Sequence, residues 1–457
     1  MRERGGTVIN RSFQLGAALC CGLLIAGALG QDAKNPARQV AQLRRQAFLG
    51  VSLSSPSPTA AGAQVTRITD ANVAAKTGLR AGDRVMRVNG TILDTFSVFR
   101  RVITGLREGD RPTFEIKRDG SLVELNPTLM PLPREAFKGV ETLYDSVVTD
   151  LGFRVRTIVT RPQNAKGKLP TVFLVGWLSC DSPEYPFGPD GDGFGQLLQD
   201  IATRSGFALI RMDKPGVGDS DGPCCADLDF NTELAAYRSA FRNTGRYEFV
   251  DPERIFVVGL SNGGGFAPLV PGESKVRGYV VAGGWAKTWL EHMMELERRR
   301  LRLSGKGPAE ITDGMRGYAE FYTEYLIHKK TPQEAMNVKP HLASLWYDRP
   351  EHQYGRPAKF YHQLQDLNLA GAWERVDAPV LVLHGEYDWI MSRADHEMIA
   401  EIVNKKRPGR ATFVELPKTD HTFIAFDNEE RAFNDDGSGR YNETVSSLVL
   451  KFLEGNR

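Results

Sequence analysis

The pentapeptide Gly259-Leu260-Ser261-Asn262-Gly263 follows directly on the apolar run Ile255-Phe256-Val257-Val258. An apolar run of that kind reads as a buried strand. Small residues on both sides of a serine let the chain leave the strand in a turn too tight for larger side chains. A serine placed in this way stands clear of the sheet, where a base can reach its hydroxyl. The same spacing occurs a second time, in Gly218-Asp219-Ser220-Asp221-Gly222. Ser220 lies several residues beyond the strand-like run 207–212 and is followed by Pro223, so it reads as part of a polar loop. Ser261 is therefore the candidate nucleophile.

Apolar runs at 171–175, 207–212, 255–258, 278–282 and 379–383 have the character of strands buried on both faces. Helical segments such as 194–205 and 233–243 lie between them. That alternation predicts a doubly wound α/β domain with a mostly parallel sheet. The long gap between 282 and 379 is rich in helix formers, as in 288–303 and 316–327, and is read as an inserted helical layer. With the serine turn after its strand, the loop Asp213-Lys214-Pro215-Gly216-Val217-Gly218-Asp219-Ser220 is similar to the D-x-x-G-x-G-x-S loop of α/β-hydrolases. The region 138–457 thus resembles α/β-hydrolases of the serine-aminopeptidase and carboxylesterase kind. The resemblance implies a helical cap over about 288–377 that covers the site. It also implies hydrolysis of an ester or peptide bond through an acyl-enzyme, with no metal or organic cofactor. One departure is that Pro268 and Pro271 shorten the helix after Ser261.

A serine hydroxyl needs a base, and the base needs an orienting acid. In the chain order of this family the acid follows the serine and the histidine comes last. The strand-like Val380-Leu381-Val382-Leu383-His384-Gly385 leads into Glu386-Tyr387-Asp388, and Asp388 takes the place of the acid, with Glu386 as the alternative. Only His396 and His421 follow Asp388. His396 falls in a segment that reads as a helix, whereas His421 lies in a loop after the strand-like run 412–416, so His421 is the expected base. Asp420 is expected to point elsewhere. The resemblance places one oxyanion N–H on Asn262 and a second in Gly176-Trp177-Leu178-Ser179, with Trp177 first and Leu178 as the alternative.

The N-terminal part carries a different signature. Gly78-Leu79-Arg80-Ala81-Gly82-Asp83-Arg84-Val85-Met86-Arg87-Val88-Asn89-Gly90 combines a turn, a strand and a tight Asn-Gly reversal. On these residues the segment 47–133 resembles PDZ domains, small β-rich modules that bind peptide ends by adding a strand to a sheet edge. The resemblance implies a helix over 95–106, closing strands at 112–117 and 121–127, and a carboxylate-binding turn at Leu49-Gly50-Val51. A purely structural role for this unit, packed on the other domain, is the alternative reading, as is a non-catalytic scaffold for the whole chain.

Residues 1–30 read as a secretory signal. Arg2, Arg4 and Arg11 precede the apolar run 15–29, which is short of the ~20 residues of a membrane span, and Ala28-Leu29-Gly30 offers a cleavage site. An uncleaved anchor is the alternative. Residues 31–46 read as a linker. Export to an oxidising compartment leaves Cys180, Cys224 and Cys225. Cys180 and the Cys224-Cys225 pair follow strand-like runs whose exit loops meet if the strands are neighbours, so a bridge from Cys180 to Cys225 or Cys224 is expected. The net charge of +2 is already supplied by those three arginines against Glu3, and the rest of the chain is near neutral. Nucleic acid is therefore not an expected partner. Arg298-Arg299-Arg300 is expected on a solvated helix face. The expected partners are a small ester or peptide substrate and peptide C-termini, with no stable membrane span.

Overall fold

The computed structural model describes residues 43–56, 61–346 and 348–457. The expected leader and most of the linker lie outside the described residues. The larger sheet has eight strands: β1 (Val140–Val148), β2 (Arg154–Pro162), β3 (Leu169–Val175), β4 (Ala208–Met212), β5 (Val250–Leu260), β6 (Gly278–Ala282), β7 (Val380–Gly385) and β8 (Ala411–Leu416). Their order across the sheet is β8-β7-β6-β5-β3-β4-β2-β1. The pairs from β4 to β8 are parallel, while β2 runs antiparallel to both β1 and β4.

The central strands are buried on both faces, as their apolar runs require. Val172, Leu174, Phe256 and Val258 pack into the core on one side with Phe194, Leu197 and Ile201. Phe173, Val175 and Val257 pack on the other side with Phe230, Tyr237 and Phe266. The sequence reading did not single out β1 and β2. β1 is half-buried along most of its length and mixes charged with apolar residues, so it lacks the run that marks a central strand.

Register decides where the loops emerge. Val175 pairs with Gly259, Leu260 with Ala282, and Ala282 with Leu383. The loops after β3, β5, β6 and β7 therefore leave the sheet at one edge. Between β6 and β7 the chain forms helices Trp289–Leu303, Pro308–Tyr322, Pro332–Val338, Ala358–Gln365 and Leu369–Glu374. The first starts at Thr288 with a capping box to Glu291, which satisfies two of the exposed N–H groups of its first turn. Arg299 and Arg300 on this helix are half-buried rather than solvated. Arg299 donates to the carbonyls of Trp389 and Ile390, and Arg300 Nε donates to Glu297.

The N-terminal unit is a sheet in the order Val51–Leu53, Ala63–Ile68, Arg84–Val88, Phe114–Arg118, Ser121–Leu125, with helices Ala71–Thr77 and Phe96–Gly105. Val65, Val85, Phe99, Phe114 and Ile116 form its core. Asn89 and Gly90 both have positive φ (49° and 75°), which is the reversal their pairing predicts. Gly50 has φ +71°, and a Cβ there would lie 2.5 Å from the Ala74 nitrogen. The Leu49-Gly50-Val51 turn thus packs against helix Ala71–Thr77, and Val51 opens the edge strand of the sheet.

The two units belong to one compact body, Gln42–Arg457. Arg45 joins them: its guanidinium donates to both oxygens of Glu184 (2.8 and 2.5 Å), to Asp219 (2.9 Å) and to the carbonyls of Leu132 and Pro133. The loop that carries Ser220 is therefore not a solvated one. Ser220 is 1% exposed, accepts from the Arg156 N–H and donates to the Asp213 carbonyl. Its acidic neighbour Asp219 is neutralised by Arg45 and Arg156, which come from elsewhere in the chain. Removing Arg45 leaves two carboxylates buried with less countercharge. Arg45→Ala is expected to destabilise the protein by about 3–5 kcal/mol in urea unfolding. A loss below about 1 kcal/mol would show that the interface does not depend on this cation.

Candidate active site

Ser261 sits at φ 55° and ψ −127°, immediately after β5 and before the short helix Asn262–Phe266. A non-glycine residue in that region is strained, and surrounding contacts must hold it there. The Ser261 N–H donates to the Ala282 carbonyl of β6 (2.8 Å), and the Gly264 N–H donates to the Ser261 carbonyl (2.8 Å). A Cβ on Gly263 would lie 2.2 Å from the Val175 carbonyl oxygen and 2.3 Å from that of Gly176. The small residues beside the serine are thus what lets its helix approach the end of β3. That helix is only five residues long, followed by a 3-10 turn at Ala267–Leu269 that includes Pro268.

His421 arrives on the loop after β8. Its Nε2 is 2.8 Å from Ser261 Oγ and its Nδ1 is 2.8 Å from Asp388 Oδ2. The other carboxylate oxygen of Asp388 accepts the N–H groups of Ile390 (2.9 Å) and Met391 (2.8 Å), which fixes its plane. Two glycines make room for His421: a Cβ on Gly385 would meet the Thr419 carbonyl of its loop at 2.4 Å, and one on Gly283 would meet the imidazole at Cε1 at 2.9 Å. Asp420 turns away from the serine and accepts the N–H groups of Thr422 and Ile424, so it braces the loop. Phe194 presents an edge-on ring to His421.

The alternatives weighed in the sequence lie elsewhere. Glu386 accepts the Lys418 N–H. His396 is buried, accepts the Gly284 N–H at Nε2 and donates from Nδ1 to the Ser392 carbonyl. Burial lowers its pKa to about 4, so it is neutral. Burial also pushes the Asp388 carboxyl up, but the charge and hydrogen bond of His421, with His384 and His396 nearby, outweigh it and bring it down to about 2. Burial pulls His421 down, and the charge and hydrogen bond of Asp388 outweigh that, leaving its pKa above the ordinary histidine value. A carboxylate that stays ionised beside an imidazole that favours its proton suits a base that must hold a proton briefly.

A cavity of about 540 Å³ opens at Ser261 and His421. Its walls are largely apolar, with Trp177, Leu178 and Phe194 after β3, Trp389 from the loop after β7, and Trp289 and Leu296 from the cap. Asn262 lines it beside the serine, and its side-chain oxygen accepts from Trp285 Nε1 (3.1 Å). A disulfide joins Cys180 to Cys225, and Cys224 is free. The sequence did not expose the cap side of the cavity, because single aromatics spaced along amphipathic helices look like ordinary core. Among the described residues no cluster of three or more His, Cys, Asp or Glu could hold a metal ion, and no helix is long and apolar enough to cross a membrane.

Comparison with known proteins finds two family matches: the PDZ domain over residues 47–129 and the alpha/beta hydrolase family over residues 171–435. Among curated proteins, a putative zinc metalloprotease of Mesorhizobium japonicum is 38% identical over 154 residues, 34% of this chain and 37% of that protein. A probable periplasmic serine endoprotease, DegP-like, of Chlamydia trachomatis is 31% identical over 120 residues, 24% of this chain and 23% of that protein. The chain therefore spans well under half the length of these curated relatives. Among solved structures, an esterase of Pyrococcus furiosus is 12% identical, covering 71% of this chain and 96% of its own, with a TM-score of 0.42.

If Asp388 sets the titration of His421, Asp388→Asn removes the charge that chiefly raises it and leaves burial opposed by Asp420. The imidazole resonances of His421 should then titrate at a lower pH in the variant than in the wild type, as read by NMR. An unmoved or raised midpoint would break the assigned coupling.

Proposed function

The chain belongs to the alpha/beta hydrolase family, and from that premise we propose that it is an exported serine hydrolase acting on carboxylic esters or amides. The observation that carries this reading is the chain of two 2.8 Å contacts from Ser261 through His421 to Asp388 at the mouth of an apolar cavity. Ser261 Oγ attacks the substrate carbonyl carbon as His421 Nε2 takes the hydroxyl proton. The carbonyl oxygen becomes an oxyanion, met by the Asn262 N–H and by an N–H from the 176–179 turn. His421 then gives its proton to the leaving oxygen or nitrogen, and the acyl-enzyme forms. Water repeats the sequence, with its proton going to His421 and then back to Ser261. Asp388 keeps the imidazole oriented and stabilises its charged form throughout.

The walls are mostly aromatic and aliphatic, which suits an uncharged acyl group, while the carboxylates of Asp181 and Asp192 on the same walls offer a partner to a cationic part of a substrate. Because apolar wall predominates, ester hydrolysis comes first and peptide hydrolysis second. The PDZ domain at 47–129 supports a role in binding peptide ends, with Leu49-Gly50-Val51 as the carboxylate-binding turn. The basic, apolar N-terminus, the Cys180–Cys225 bridge and the periplasmic DegP-like relatives support export.

A fluorophosphonate probe should label the wild type and not Ser261→Ala. Equal labelling of both would exclude Ser261 as the reactive group. A p-nitrophenyl ester should be turned over faster than an aminoacyl amide of matched size, and the reverse order would make the enzyme a peptidase. Peptides with free C-termini should bind more tightly than their amidated forms, and indifference to amidation would leave the PDZ domain a structural role.

A further inference from the structure

The loop after β3 has four successive carbonyls, and a cationic side chain donates to each. Lys214 Nζ donates to the carbonyls of Trp177 and of Ser179 (2.9 Å to the latter). Arg356 Nε donates to that of Leu178 (3.0 Å). Arg100, on the PDZ helix Phe96–Gly105, donates to that of Cys180 (3.2 Å). Lys214 and Arg356 are 3% and 0% exposed. Glu233, also fully buried, lies between them: one oxygen is 2.5 Å from Arg356 Nη2 and the other 3.6 Å from Lys214 Nζ. Arg356 further donates to the Cys225 carbonyl (3.4 Å), on the far side of the disulfide.

Buried charges are expensive, and ordinary loop packing does not require two of them under one turn. Peptide geometry indicates what they achieve. Across a trans peptide the carbonyl and the following N–H point in opposite directions. Drawing the Trp177 carbonyl to Lys214 turns the Leu178 N–H to the other side, and Leu178 lines the cavity with Ser261. The neighbouring N–H groups are directed otherwise. That of Gly176 donates to the Tyr237 hydroxyl (3.1 Å). The Gly176 carbonyl faces Gly263, 2.3 Å from where a Cβ would stand, so the N–H of Trp177 on the same peptide points away from the helix that follows the serine.

We propose that the Leu178 N–H is the second oxyanion donor, and that Lys214, Arg356 and the PDZ residue Arg100 are positioning residues that fix it by holding the carbonyls of residues 177–180. This rests on the serine-hydrolase reading and deepens it. Of the two donors considered from the sequence, it selects Leu178 over Trp177. It also gives the PDZ domain a share in the hydrolytic site through a side chain that never meets substrate.

The test is steady-state kinetics on a p-nitrophenyl ester with the full chain, together with a crystal structure of the wild type phosphorylated by diethyl p-nitrophenyl phosphate. Lys214→Met should lower kcat roughly 100-fold with KM little changed, because the donor acts on the transition state. Lys214→Arg should restore most of the loss. Arg100→Ala, at a half-buried position on the PDZ helix, should lower kcat several-fold, again without moving KM, and it serves if Lys214→Met fails to fold. The phosphoryl oxygen should lie roughly 2.7–3.1 Å from the N–H nitrogens of Leu178 and Asn262. Unchanged kcat in folded Lys214→Met and Arg100→Ala, an effect confined to KM, or a phosphoryl oxygen on the Trp177 N–H would overturn the proposal while leaving the serine hydrolase intact. A wild type that neither turns over esters nor accepts the phosphoryl group would overturn both.

Discussion

The strained backbone of Ser261 is the constraint on which the rest of the site depends. A residue at φ 55° and ψ −127° is held in place only by what surrounds it. Here the Ala282 carbonyl takes its N–H from one side. The Val175 and Gly176 carbonyls approach so closely that only glycine fits at 263. Both neighbours are strand ends, so the parallel register of β3, β5 and β6 is what positions the hydroxyl. A larger residue at 263 would push the short helix Asn262–Phe266 off the end of β3 and let the turn relax.

From that point the sheet edge explains the rest. β7 and β8 end beside β6, and their loops bring Asp388 and His421 to the serine. Gly283 clears the space for the imidazole, and Gly385 for the loop that carries it. Charge is handled by a different rule in each half of the site. Around His421 the main countercharge is Asp388, with Asp420 a lesser one, and the imidazole beside them can take up and return a proton. Beneath the loop after β3, cations meet carbonyls and buried carboxylates, and nothing there needs to titrate. Arg45, buried, and Arg100, half-buried, extend this second arrangement to the PDZ domain, beside aromatic contacts such as Phe48 with Phe187.

Much of this was legible in the sequence, for physical reasons. A strand buried on both faces must be a continuous apolar run, so β3 to β7 could be placed, and residues just past their ends follow. Ser261, Asp388 and His421 all fall at such places, and the structure brings their side chains into contact. β1 and β2 carry no such run: β1 is a half-buried edge strand, and β2, though buried, interleaves arginines and threonines with its apolar residues. Ser220 lies in a polar loop as expected, but its burial has no local signal, because Asp219 and Asp221 look solvated and their partners Arg45, Arg154 and Arg156 lie far off along the chain. The Cys180–Cys225 bridge followed from neighbouring strands, but the choice of Cys225 over Cys224 depended on local backbone direction. Arg356 had no local signal, since its partners Leu178 and Glu233 are brought to it by folding alone.

The central claim is that Ser261 carries an acyl group during turnover. Rapid-quench mass spectrometry of the enzyme mixed with excess p-nitrophenyl ester tests it most directly. An acyl mass increment should appear on the peptide containing Ser261, formed together with the first equivalent of p-nitrophenol. Turnover with no increment at that peptide, or with the increment on another residue, would contradict it.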